Sequence, residues 1–498
     1  MKNCKLFILL VSFVVLFSAI PQEVVAQEPN AVCGPDAYVS TMLTYINQTG
    51  VEKWIRNFSG ENSVLIDGVS RTIKTRYSSE LFSGNTNAMA YDYLHQELLN
   101  LGYVDGVSLS DHLFSPEYHQ SEAMEEIELA ETTDGTISLE FAPMDYQLSE
   151  QPEQLLQAEM WKNKVVTIPG HGPNADKLVL MTAHLDSTSP SRTTLAPGAE
   201  DNGSGVSALM EAARLFRHYE FDYTIKLIFF TGEEDGLWGS EAYVADHPGE
   251  MDDIIGVVNL DMFGYDNDQD LCIELHVGTM ASSNVVGTCF TDVSNNYDLG
   301  LSFDYLTNTA IDRSDHASFW DAGVGAIEVL ENYQSDSASN GCGGRLDRNP
   351  HYHKITDTID KMYMPATVAT VKAGVGTVAS LADPIGKCFG GDPVVSATIN
   401  EESILLTWPE LDGADVYNIY RGTATCLGFM TRVAQVTTNS YEDTDIQYDR
   451  NYFYKVEAAE TDGICISQLS NCAIAKVPTP QEPVIWFDLF IPLISAGE

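Results

Sequence analysis

Residues 224–234 read TIKLIFFTGEE. Seven residues of mostly apolar, β-branched or aromatic character run into a glycine and then two adjacent acids, Glu233 and Glu234. A continuous apolar run of this length predicts a strand buried on both faces, as in a parallel sheet. Its end then delivers two carboxylates side by side at the rim of that sheet.

The same texture recurs around it. KVVTIPG, KLVLMTAHLD, IIGVVNLDMFG and GVGAIEVLE are further short apolar runs. Helical spacing separates several of them, as in VSALMEAARLFRHY. Strands alternating with helices predict an α/β domain with a mostly parallel central sheet and helices on both faces. Ligands of open α/β sheets bind beyond the carboxyl ends of the strands. Three of those ends carry polar groups: His184 and Asp186 in AHLD, Glu233 and Glu234, and Asp261 in NLDMFG. GAEDNGSGV places Asp201 just before a Gly-rich turn that opens a helix, and NPHYHKITDT adds His351 and His353.

Each residue has an ordinary reading when taken alone. His184 reads as a core histidine, Asp186 as a turn residue, Asp201 as a helix cap and the Glu pair as a solvated loop. Asp261 resists such a reading, because a carboxylate inside an apolar run needs a partner. Gathered on one rim, this much negative charge is costly unless cations neutralise it. Histidine and carboxylate donors without cysteine suit Zn²⁺.

The ordered set AHLDS, GAEDNGSGV, FTGEEDGLWGS, NLDMFG, RSDHASF and PHYHKITDT resembles the secreted zinc aminopeptidases with two co-catalytic metals, of the bacterial leucyl aminopeptidase type. Their wider superfamily includes glutamate carboxypeptidases and glutaminyl cyclases. The resemblance covers roughly residues 160–365 and implies a zinc-exopeptidase-like fold with two Zn²⁺. It implies that His184 and Asp261 hold one ion, Glu234 and His353 the other, and that Asp201 bridges them. Glu233 would be the general base and Asp186 would orient the His184 ring. Tyr352 matches an oxyanion-stabilising position and Arg313 a substrate-contacting one. A packing aromatic and a surface salt bridge are their plainer readings. His351 is the rival of His353 as ligand. His316 is expected to support a loop, with Ser314 capping the next helix.

The chain has 498 residues, which predicts more than one domain. Residues 1–26 read as a cleaved secretory signal: Lys2 and Lys5, an apolar stretch, then a small-residue site ending at Ala26. An uncleaved membrane anchor is the rival reading, and no later stretch is long and apolar enough to span a bilayer. The expected location is secreted, periplasmic or cell-surface. Residues 27–387 form the predicted catalytic domain, mainly helical up to about 105 and with 106–160 as an acidic insertion. From 388 to 478 alternating strands predict a small all-β sandwich. Trp408, Tyr417, Tyr420, Tyr441 and Tyr454 resemble the pattern of a fibronectin type III module. Residues 479–498 form a tail.

Beyond Cys4, eight cysteines remain, and an even number in an exported chain predicts disulfides. The net charge of −46 excludes nucleic acid as a partner, since phosphates would be repelled. The expected substrates are the N-termini of peptides or proteins, with a docking partner for the C-terminal module. The alternatives are a metallo-carboxypeptidase, with Arg313 and Arg345 as cationic groups, and an inactive binding protein on the same scaffold.

Overall fold

The structure, a computed structural model, describes residues 33–78, 86–114, 161–333, 342, 346–426, 430–461 and 465–479. The predicted signal, most of the expected insertion, Arg345 and the tail lie outside these residues.

The central sheet has eight strands: β1 (Leu109–Phe114), β2 (Trp161–Ile168), β3 (Leu178–His184), β4 (Thr224–Phe230), β5 (Ile254–Leu260), β6 (Cys272–His276), β7 (Ser302–Leu306) and β8 (Ala326–Glu331). Their spatial order is β7-β6-β8-β5-β3-β4-β2-β1. β8, β5, β3 and β4 are mutually parallel, while β6 and β2 run antiparallel to the neighbours that flank this block. The expected mostly parallel sheet therefore has an all-parallel centre and mixed edges. The start of the expected insertion is itself part of the sheet, since β1 pairs along β2.

The period of two along a strand separates two cores. Val179, Met181 and Ala183 of β3, Val258 and Leu260 of β5, and Ile327 and Val329 of β8 enter one large cluster. The helices α1 (Ala37–Thr44), α2 (Gln48–Phe58), α3 (Thr86–Leu101), α4 (Gly203–Phe216), α6 (Ala281–Asn296) and α8 (Met364–Leu381) contribute to it. Leu178, Leu180, Ile228, Phe230, Val257 and Ala326 point the other way, into a smaller cluster under α5 (Trp238–Asp246) and α7 (His316–Asp321). On that second face the apolar residues give way to polar ones toward the strand ends: Thr182 and His184, Asn259 and Asp261, and Glu328.

Local sequence explains how the chain turns at this rim. Asn202 is the N-cap of α4, its side chain accepting the N–H of Gly205. The capping that Asp201 would suggest when taken alone thus falls to its neighbour. At Gly205 a Cβ would meet the Leu260 carbonyl and Ala183, so glycine lets α4 sit directly on β3 and β5.

The C-terminal part is all β. Ser396–Ile399, Ile404–Thr407 and Ser440–Asp443 form one antiparallel sheet; Thr431–Val436, Val416–Gly422, Tyr452–Ala459 and Ala473–Ala475 form another. Ile404, Leu406, Trp408, Tyr417, Ile419, Tyr454 and Val456 fill the space between them. This part is stitched to the rest by backbone bonds from Cys388 N–H to the His218 carbonyl and from Ile466 N–H to the Arg217 carbonyl. The eight expected cysteines form four disulfides: Cys33–Cys289, Cys272–Cys342, Cys388–Cys465 and Cys426–Cys472. Among the described residues, no helix is long and apolar enough to cross a membrane.

Candidate metal centre

His184 ends β3, fully buried. Its Nε2 lies 3.1 Å from Asp261 Oδ1, 3.3 Å from Asp201 Oδ1 and 3.9 Å from Glu233. A second histidine meets the same aspartate from the opposite side. His353 Nε2 is 3.2 Å from Asp201 Oδ2 and 2.9 Å from Glu234 Oε2. Two groups of ligand-type atoms result, His184–Asp201–Asp261 and Asp201–Glu234–His353, sharing Asp201. His351 stands apart, its Nδ1 bonded to the Thr356 hydroxyl on the exposed side.

Asp186 serves both strand tips. Its carboxylate lies 3.6 Å from His184 Nδ1 and accepts the N–H groups of Glu233 at 3.4 Å and Glu234 at 3.2 Å. Ser314 does not cap α7. Its hydroxyl donates to Asp261 at 2.7 Å and receives the Asn259 amide, and the α7 N-cap position falls on Asp315. His316 does brace its loop, bonding the Ile311 carbonyl at 2.9 Å.

A cavity of about 160 Å³ opens beside these groups, lined by Glu233, Arg313, Tyr352 and His353 among others. Tyr352 stacks on His353 with ring centroids 3.7 Å apart. Arg313 is exposed at this cavity.

The electrostatics are strained in the manner of a site short of positive charge. Burial, with Asp261 and Glu234 nearby, pushes the Glu233 carboxyl well above the usual range despite the opposing pull of His184. Burial and Asp201 raise Glu234 to about 7. Burial alone would lower His353, but its hydrogen bonds to Asp201 and Glu234 lift it to about 10. Among the described residues nothing donates to the buried Glu234 Oε1. A buried carboxylate with one oxygen on a histidine and the other unpaired, next to a shared aspartate, fits a cation, and the nitrogen and oxygen donors fit zinc.

Supporting residues that the motifs did not single out surround this set. Asp357 accepts the N–H of Glu200 and of Asp201, which fixes the shared aspartate's backbone. Glu200 receives the N–H groups of Gly264 and Tyr265 and the Asn349 amide, tying the Asp261 and His353 segments together. Arg76 is buried and donates to the carbonyls of Phe58, Leu185, Pro197 and Gly198. Asp357 and Glu200 fall within PHYHKITDT and GAEDNGSGV, the segments that also carry His353 and Asp201. Arg76 sits in no pattern.

Residues 163–379 match Peptidase family M28, a segment that contains every residue of the two groups. The chain is similar to Aminopeptidase YwaD of Bacillus subtilis (strain 168), 33% identical over 37% of this chain and 39% of that protein. It is similar to the probable leucine aminopeptidase 1 of Trichophyton verrucosum, 31% identical over 44% of this chain and 57% of the other. The chain thus spans about two fifths to under three fifths of the length of these curated relatives. Among solved structures, the LapA aminopeptidase of Legionella pneumophila aligns over 75% of this chain and 80% of its own, at 18% identity and a TM-score of 0.47.

Proposed function

We propose that this protein is an exported metallo-aminopeptidase that hydrolyses the N-terminal peptide bond of peptides. One observation carries the reading: Asp201 presents one oxygen to His184 and the other to His353, with Asp261 and Glu234 completing the two groups. In this reading His184, Asp201 and Asp261 hold one zinc ion, and Asp201, Glu234 and His353 the other. When bound, such ions supply Lewis acidity, polarising a carbonyl and acidifying water.

The chain's own residues do the rest. Glu233 lines the cavity and is held by its N–H to Asp186. In this reading its carboxylate takes a proton from the attacking water and returns it to the leaving amine. Asp186 keeps the His184 ring oriented, with its backbone carbonyl 3.2 Å and its carboxylate 3.6 Å from Nδ1, while fixing the backbone of the Glu pair. The Tyr352 phenol lines the cavity beside His353 and in this reading donates to a developing oxyanion.

The cavity also favours a free amine. Glu233 lines it beside the metal-site groups, with the exposed Arg313 guanidinium on the same wall. Glu233, which no metal takes in this reading, attracts an ammonium and repels a carboxylate, which ranks the aminopeptidase above the carboxypeptidase. The complete ligand-type set argues against an inactive binding protein. The four disulfides support an oxidising, extracytoplasmic location. The C-terminal three- and four-stranded sheets, with Trp408 and Tyr417 between them, support a fibronectin type III-like module, following a catalytic domain over 27–387.

The test is hydrolysis of aminoacyl-p-nitroanilides with and without chelator, alongside Glu233→Gln. Turnover abolished by chelation, restored by zinc and reduced by about 10²–10⁴ in the variant supports the reading. Absence of turnover on every free-amine substrate, with zinc bound, rejects it.

A further inference from the structure

β8 carries a carboxylate that none of the roles above employs. Glu328 is 2% exposed, and its Oε2 accepts no hydrogen bond. Among the described residues the basic group that approaches it is His316, with Nε2 at 3.6 Å. That nitrogen already donates to the Ile311 carbonyl. Burial holds the His316 pKa down to about 3, so the ring is neutral and brings no charge to Glu328. Among the described residues no donor reaches Oε2, and burial, with Asp261, Glu274 and Asp315 nearby, pushes the Glu328 carboxyl well above its usual range, a cost that a cation beside it would relieve.

Its position says what that something is. Glu328 pairs in register with Asn259 and stands on the sheet face that carries His184 and Asp261. Leu330, two residues on, shares that face, and both line the cavity beside Glu233 and the shared aspartate. Met262, Ile311 and Tyr333 add apolar wall. At about 160 Å³ the cavity is far below the roughly 300–1,000 Å³ of a drug-sized pocket and suits one side chain.

We propose that this cavity receives the side chain of the substrate's N-terminal residue, and that Glu328 selects a basic one, lysine or arginine. The inference rests on the aminopeptidase reading and narrows its substrate class. The alkyl stem of such a residue lies against Leu330, Met262 and Ile311, as long cationic side chains pack their stems on apolar surface. Its ammonium or guanidinium supplies the donors and the positive charge that Glu328 lacks. An apolar N-terminal side chain of equal length would fill the space and leave the carboxylate unpartnered. Such a site rejects the analogue that lacks the polar group.

The experiment compares L-lysinamide with L-norleucinamide, which has the same stem and no terminal ammonium. Calorimetric affinities are measured for the zinc-loaded wild type and for Glu328→Gln, together with kcat/KM on lysyl- and leucyl-p-nitroanilide. Lysinamide binding at least about 10-fold tighter in the wild type, with the preference lost in Glu328→Gln, supports the proposal. Equal or tighter binding of norleucinamide, or a lysine preference that survives in Glu328→Gln, overturns it. If Glu328→Gln fails to fold, the wild-type ratio decides alone by the same criterion. A lysinamide preference without turnover of any aminoacyl substrate supports the charge selection and rejects the aminopeptidase reading.

Discussion

Asp186 accepts the backbone N–H of Glu234 at 3.2 Å while its carboxylate faces the Nδ1 of His184 at 3.6 Å. One side chain thus couples the tips of β3 and β4. Asp186→Asn keeps the shape but replaces one acceptor oxygen by a donor. Carboxylates behind ligating histidines are worth about 10–100-fold in metal affinity or activity. A loss of that size in zinc affinity, read by competition with a chelating dye, is expected with an unchanged circular dichroism spectrum.

His353 predicts how pH acts on the metal-free protein. Its folded pKa of about 10 stands above the unfolded value of 6.5. The folded state therefore binds more protons between those values, and stability falls as pH rises through that window. The contribution is complete below pH 6.5 and gone above about 10. Zinc binding must displace the same proton, so affinity should climb over the same range. Thermal melts of chelated protein from pH 6 to 10, paired with zinc titrations, check both slopes.

Arg76 predicts a structural failure rather than a catalytic one. Its guanidinium holds four backbone carbonyls near the site, including Leu185 between His184 and Asp186. Arg76→Met leaves buried acceptors unsatisfied, at about 1–3 kcal/mol each. Loss of cooperative unfolding, or of soluble protein, is expected, and Arg76→Lys should not rescue it because one ammonium cannot span the four oxygens. A melt matching the wild type would contradict this role.

The C-terminal sandwich is expected to be needed for stability. Arg217 is buried, and its carbonyl receives Ile466 N–H from the sandwich side. The Cys388–Cys465 bridge closes 77 residues at this junction. Replacing both cysteines by serine should cost about 4 kcal/mol. Truncation before Cys388 should cost more, since it also uncovers Arg217 and His218. Chemical denaturation of the two variants gives the comparison, and equal stability of the truncated and full chains would contradict it.

How much of this was legible in the sequence depended on where the polar residues fell. The strands of the central sheet announce themselves as apolar runs, and Asp261 stood out because it interrupts one. Glu328 in GVGAIEVLE interrupts an apolar run in the same way and carried the same signal. It passed as part of a strand because a strand buried on both faces shows no alternation to say which side a residue takes. Only the register with Asn259 assigns it to the His184 side. The pairing of the eight cysteines and the four carbonyls on Arg76 depend on contacts far apart in sequence, which local patterns do not record. The mixed edges of the sheet were hidden for the same reason.

Asn202 caps α4 while Asp201, its immediate neighbour, reaches both histidines. Two adjacent side chains with unrelated tasks leave the connection from Gly198 to Gly203 no freedom of length. A one-residue deletion there would offer the histidines an amide, or the helix an uncapped end. The exposed stretch from 190 to 195, a few residues upstream, faces no such demand. Natural variation in this region should therefore change loop lengths on one side of Pro197 and only residue identities on the other.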